Sequence, residues 1–148
     1  MTKTRIHLAI VATAMAVTSL AVAADDPQHE RHELMEDVRD AAKPMGKMLN
    51  GELDYDADVV MASLGTFADV AKVFGGLFPP GTETGTEAAP AIWEDRAGFD
   101  AALAAWAEAT DAAIAANPQT LDDAKPVLGK VFGSCKDCHD TYRIEEEE

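Results

Sequence analysis

Basic residues are scarce in this chain. Twelve Lys and Arg stand against 27 Asp and Glu, a formal net charge of −15 over 148 residues. Such a field opposes nucleic acid and anionic lipid, so neither is an expected partner. It favours solubility, adaptation to a saline habitat, or steering toward a protein with a basic patch. Val, Ile and Thr clusters are also few. That excludes a β-rich fold and the β-α-β setting of a thioredoxin-like redox pair. With two cysteines and four histidines, the chain is too poor in soft ligands for the about four that structural zinc requires. After residue 23 no run reads as long and apolar enough to span a bilayer, so a mature protein that is soluble rather than membrane-spanning is expected.

What is present begins with a leader. Lys3 and Arg5 precede an apolar run from Leu8 to Val22, and Ala21-Val22-Ala23 closes it ahead of Ala24-Asp25-Asp26. This predicts a secretory signal over residues 1–23, cleaved after Ala23, and a periplasmic location. A retained anchor is the alternative, but the run is short and rich in Ala and Thr. Loss of Lys3 and Arg5 leaves ten basic residues against 27 acids, a net of −17. The tail Glu145-Glu146-Glu147-Glu148 is a like-charge run set apart from the domain expected over 24–144.

Between these ends Ala is abundant and apolar residues recur at helical spacing, which predicts an all-α protein. Four helices are expected. The first runs from Asp26-Pro27 to Asn50 with Leu34, Val38, Ala41, Met45 and Leu49 on one stripe, kinked or split at Pro44. The second follows the caps Asp54 to Asp56 and reaches Phe74, with Val60, Leu64, Phe67, Ala71 and Phe74 inward. A Gly/Pro-rich loop over residues 75–90 comes next, long enough to be functional. The third helix spans Ile92 to Asn117, with Phe99, Leu103 and Trp106 inward. The fourth opens at the capping box Thr120-Leu121-Asp122-Asp123, and Pro126 is expected to bend it or delay its start. Such segments fit an antiparallel four-helix bundle.

The fourth helix carries both cysteines in Cys135-Lys136-Asp137-Cys138-His139. C-x-x-C-H is the spacing that attaches c-type haem: two thiols on one helical turn add to two vinyl groups, and the next residue offers a neutral imidazole to the iron. A plain Cys135–Cys138 disulfide is the alternative in an exported protein, though it gives His139 no role.

Around these residues the chain resembles the class II c-type cytochromes, the cytochrome c′ and cytochrome c-556 family. The resemblance rests on Gly133-Ser134-Cys135-Lys136-Asp137-Cys138-His139-Asp140-Thr141-Tyr142-Arg143, on Pro90-Ala91-Ile92-Trp93, on Phe78-Pro79-Pro80-Gly81-Thr82, and on Arg31-His32-Glu33-Leu34-Met35. It implies a four-helix bundle with one covalent haem c near the C-terminus. Cys135 and Cys138 would carry the thioethers and His139 would be the proximal ligand. Arg143, one turn beyond, would modulate that imidazole, the alternative being a charge that complements the helix dipole. Arg31 would lie near a haem propionate, the alternative being a surface ion pair with Glu30 or another acid.

Met35 separates two functions within the resemblance. As a thioether ligand it would make low-spin His/Met iron for a periplasmic one-electron carrier with protein redox partners. As a mere plug it would leave five-coordinate iron that binds nitric oxide or carbon monoxide. The first is the expectation, the second its alternative, and a plain core role for Met35 stands beside both. His32 is a further distal candidate, and Trp93, Trp106 and Phe99 could pack on the ring. No catalytic residue is expected: a peroxidase would need a polar acid-base group near the iron. A haem-free helical module remains the bland reading, and both a monomer and a homodimer fit.

Overall fold

The computed structural model describes residues 26–144. The expected leader over 1–23 and the acidic tail over 145–148 lie outside the described residues. Five helices follow in order: α1 Pro27–Leu49, α2 Ala57–Phe74, α3 Ala91–Glu94, α4 Arg96–Ala116 and α5 Leu121–Tyr142. A 3₁₀ turn, Gly75–Leu77, extends α2. No strand occurs among the described residues. The four long helices form the expected bundle.

Local chemistry sets the helix starts. Asp26 accepts from the Gln28 amide at 3.0 Å and Pro27 occupies the first turn, where a missing N–H costs nothing. Asp56 accepts from Asp58 and Val59 at 3.0 and 3.1 Å to open α2. Thr120 accepts from the Asp123 amide at 3.3 Å, and its hydroxyl donates to the Asp123 carboxylate at 2.7 Å, so the capping box closes side chain to side chain. Asn117 stops α4 in the left-handed conformation at φ 43°. At that end of the bundle the Tyr55 hydroxyl donates to the Pro118 carbonyl at 2.7 Å, joining the α1–α2 and α4–α5 turns.

Three expectations are corrected. The third predicted helix is two helices. Asp95 leaves helical geometry at φ −124° and its carboxylate accepts from the Gly98 amide at 3.1 Å, so it acts as the N-cap of a new helix. Pro44 and Pro126 end nothing: α1 runs continuously through the first, and α5 begins at Leu121 without delay before the second. Finally, the 21-residue stretch Ala57–Leu77 is long and apolar enough to cross a membrane by length and composition, contrary to the expectation that none follows the leader. Packing accounts for its character, because Val60, Leu64, Phe67, Val70 and Phe74 are buried in the bundle.

The core joins these residues to Met45 and Met48 of α1, Phe99, Trp106 and Ala113 of α4, and Ala124, Leu128 and Val131 of α5. Each large buried side chain contributes about 1.5–3 kcal/mol of transfer free energy. Phe78 from the loop meets Phe74, Trp93 and Phe99 edge to face at 4.8–5.8 Å. Contact is unevenly shared among the helices. α1 packs on α2, α2 on α4 and α4 on α5, whereas α1 and α5 barely touch. The functional cavity lies along that loosely packed seam.

Candidate haem cavity

A cavity of about 1100 Å³ is lined on one side by Arg31, His32 and Met35 of α1, and on the other by Cys135, Cys138 and His139 of α5. Phe67, Phe74 and Phe78 contribute to the wall between them, as do Phe99 and Trp106. The periodicity of α5 is what brings the attachment residues here. Val131 is buried one turn before Cys135, and Tyr142 packs on the core one turn after Cys138, so the segment shares the face that meets the bundle. The structure therefore gathers all six predicted site residues, Arg31, Met35, Cys135, Cys138, His139 and Arg143, around one cavity.

Both thiols are free. Burial and the neighbouring Cys138 thiol push the Cys135 thiol up to about 11, and burial raises that of Cys138. Both are held protonated at neutral pH. For His139, partial burial and the Arg143 guanidinium lower its proton affinity, with Asp140 and Glu87 opposing. The result favours the neutral imidazole, the form that ligates a metal.

Arg31 is only 6 % exposed. One of its terminal nitrogens, Nη2, donates to the Thr82 carbonyl at 3.0 Å. Its guanidinium carbon stands 4.6 Å from the Phe78 ring centre and 5.8 Å from that of Trp93. The surface ion pair is corrected: among the described residues Arg31 pairs with no carboxylate within 4.0 Å, and its Nη1 is buried without a partner. Burial lowers its pKa against the pull of Asp26 and Glu83. A buried guanidinium with an unfilled donor on a cavity wall is suited to an anionic group inside that cavity. His32 instead turns to solvent, 68 % exposed, with Glu36 3.9 Å away.

Arg143 acts on the His139 imidazole, as the resemblance implies. It forms an ion pair with Glu87 of the long loop, through Nε at 2.7 Å and Nη2 at 2.5 Å, rather than standing as a solvated charge. Glu87, Phe78 and Gln28 were not singled out as site residues. Phe78 alone had a signal, its place in the Phe-Pro-Pro-Gly-Thr run. Of the aromatic candidates, Phe99 and Trp106 line the cavity, and Trp93 packs behind Phe78. Leu34 stays half-buried against the core, and Met35 and Val38 do the same while also lining the cavity.

The donor set fits a covalent haem. Two protonated thiols sit on one turn, a neutral imidazole follows, the walls are aromatic and apolar, and a buried guanidinium donor is orphaned at the rim.

Comparison with known proteins agrees with that set. The family profile described as Cytochrome C′ matches residues 26–143. A cytochrome c′ from Rhodopseudomonas palustris is 38 % identical, with 96 % of this chain and 99 % of that protein aligned. A cytochrome c-556 from Agrobacterium tumefaciens is 34 % identical over 79 % of this chain and 96 % of its own. Among solved structures, a cytochrome c′ from R. palustris superposes with a TM-score of 0.80 at 37 % identity, covering 84 % of this chain and all of the other. A nitric oxide complex of a mutant cytochrome c prime from Alcaligenes xylosoxidans gives 0.72 at 30 %, covering 82 % and 96 %. These likenesses correct the expected His/Met low-spin electron carrier, since they favour the c′ type. Met35 itself is half-buried against the core and lines the cavity.

Proposed function

The chain belongs to the cytochrome c′ family and carries haem c covalently on its two cysteines, and we propose that it is a five-coordinate haem protein binding nitric oxide or carbon monoxide. The observation that carries the reading is the shared cavity, with the His139 imidazole donor on α5 and Met35, Val38 and Ala42 of α1 among the residues that line it. A solved likeness at 30 % identity is a nitric oxide complex, which supports the same ligand class here.

The residues divide the work. Cys135 and Cys138 would hold the group covalently through their sulfurs. His139 ligates from α5, and partial burial keeps it neutral for that role. Arg31 offers its free Nη1 to a propionate. Met35, Phe67 and Trp106 would supply apolar wall around a haem held in the cavity and help to keep water from it. The haem iron supplies the gas affinity and the ferric–ferrous couple when bound there.

The chemistry needs no catalytic residue, and the protein acts by binding rather than turnover. Export to the periplasm, with residues 1–23 removed and 24–144 forming the bundle, matches the leader pattern. The acidic surface suits association with a protein bearing a basic patch. Titration of the reduced holoprotein with carbon monoxide tests the reading. One gas molecule bound per haem is expected, and a reduced spectrum indifferent to the gas would overturn it.

A further inference from the structure

The loop over residues 78–90 does more than wall the cavity. Where α5 ends, Arg143 turns extended at φ −117° and ψ 139° and forms an antiparallel bridge with Ala88. The Ile144 amide donates to the Glu87 carbonyl at 2.7 Å, and the Ala89 amide donates to the Tyr142 carbonyl at 3.0 Å. Gly85, at φ 77°, and Thr86, whose hydroxyl accepts from the Ala88 amide at 3.1 Å, turn the loop so that Glu87 arrives on this strap. One Glu87 carboxylate oxygen, Oε2, then accepts from both Nε and Nη2 of Arg143. Backbone and side chain thus bind the two segments in a single register.

The pair stands beside His139. Arg143 and Glu87 act on that imidazole with opposite sign. Asp140, the acid next to His139 in the chain, is itself engaged by Lys136. Glu87 is therefore the acid that answers Arg143 from another element.

We propose that Glu87 is a positioning residue for the proximal side of the haem, pinning Arg143 at the end of α5 and cancelling its charge beside His139. The proposal rests on the reading of His139 as the iron ligand. Without the Glu87 charge, Arg143 is less compensated at the imidazole, with Asp140 alone opposing it. A positive charge there weakens the imidazole as a donor and favours the less positive, ferrous state.

The test uses the holoprotein, the variants Glu87→Gln and Arg143→Gln, and their combination. Glu87→Gln keeps the shape and the strap while removing the charge. At a fixed applied potential the ferric–ferrous ratio of Glu87→Gln should move roughly two- to fivefold toward ferrous, the size that a half-exposed charge pair supports. The iron–imidazole stretching band of the ferrous protein should fall in frequency. In the Arg143→Gln background both changes should be smaller, limited to the direct effect of the lost Glu87 charge. No shift in the single variant, or an equal shift in both backgrounds, overturns the proposal. Absence of an iron–imidazole band in the unsubstituted protein overturns instead the assignment of His139, and the proposal with it.

Discussion

The guanidinium carbon of Arg31 lies 4.6 Å from the Phe78 ring centre, where its buried charge meets no carboxylate among the described residues. Two contacts tie that residue to the long loop: its own bond to the Thr82 carbonyl, and the neighbouring Gln28 amide, which reaches Thr82 and Thr84 at 3.2 and 2.9 Å. Replacement of Arg31 by Met should cost the holoprotein about 1–2 kcal/mol, because a charged hydrogen bond is lost while Gln28 still satisfies the carbonyl. Chemical denaturation of the holoprotein checks this, and an unchanged midpoint would speak against an anchoring role.

Gly98 is the second sensitive point. A Cβ there would overlap the Asp95 carboxylate and the Tyr142 hydroxyl. Since the same carboxylate caps α4, neither group can yield without loosening the α3–α4 junction or the end of α5. Gly98→Ala should destabilise the protein by about 1–3 kcal/mol, read as a lowered thermal midpoint.

That junction also shows how far sequence reaches. The start at Asp26-Pro27, the caps at Asp56 and Thr120, the stop at Asn117, and the stripe carrying Cys135, Cys138 and His139 are local signals, and the structure agrees with each. The break at Asp95 is equally local, but Asp inside an apolar-periodic run reads as a solvated helical residue until its carboxylate is seen to accept from Gly98. Pro44 and Pro126 show the reverse: packing along α1 and α5 outweighs the loss of one hydrogen bond. The burial of Arg31 and the Glu87–Arg143 strap were beyond reach, because their partners lie 51 and 56 residues away and one of them is a backbone carbonyl.

Stability should fall at high pH through Tyr55. Burial, then Asp123 and Asp56, raise its pKa above the ordinary value of 10.0. The fold thus prefers the neutral phenol, which donates to Pro118. That contribution is fully present below about pH 10 and is lost as pH rises through the higher folded-state value. In Tyr55→Phe the part of the alkaline decline due to this group should be absent. Denaturation midpoints between pH 8 and 11 for both proteins provide the check.

Replacing Cys135 and Cys138 together by Ala should leave haem that acidified organic solvent extracts from the chain, whereas the unsubstituted protein should retain it. Haem absorbance in the two phases reports the outcome. Retention by the double variant would refute attachment at these thiols.

Met35→Ala should enlarge the distal side without altering the coordination number. Carbon monoxide should then associate several-fold faster, at a stability cost of about 1–2 kcal/mol, below that of a fully buried site. Flash photolysis measures the rate, and an unchanged rate would show that Met35 does not guard the iron.

The most direct test of the central claim is the electron paramagnetic resonance spectrum of the ferric holoprotein, recorded with its optical spectrum at neutral pH. Iron held by His139 alone, with Met35 as an apolar plug, predicts a spectrum carrying high-spin character and no methionine-sulfur charge-transfer band. A purely low-spin spectrum with that band present would mean that Met35 ligates the iron, and would contradict the account.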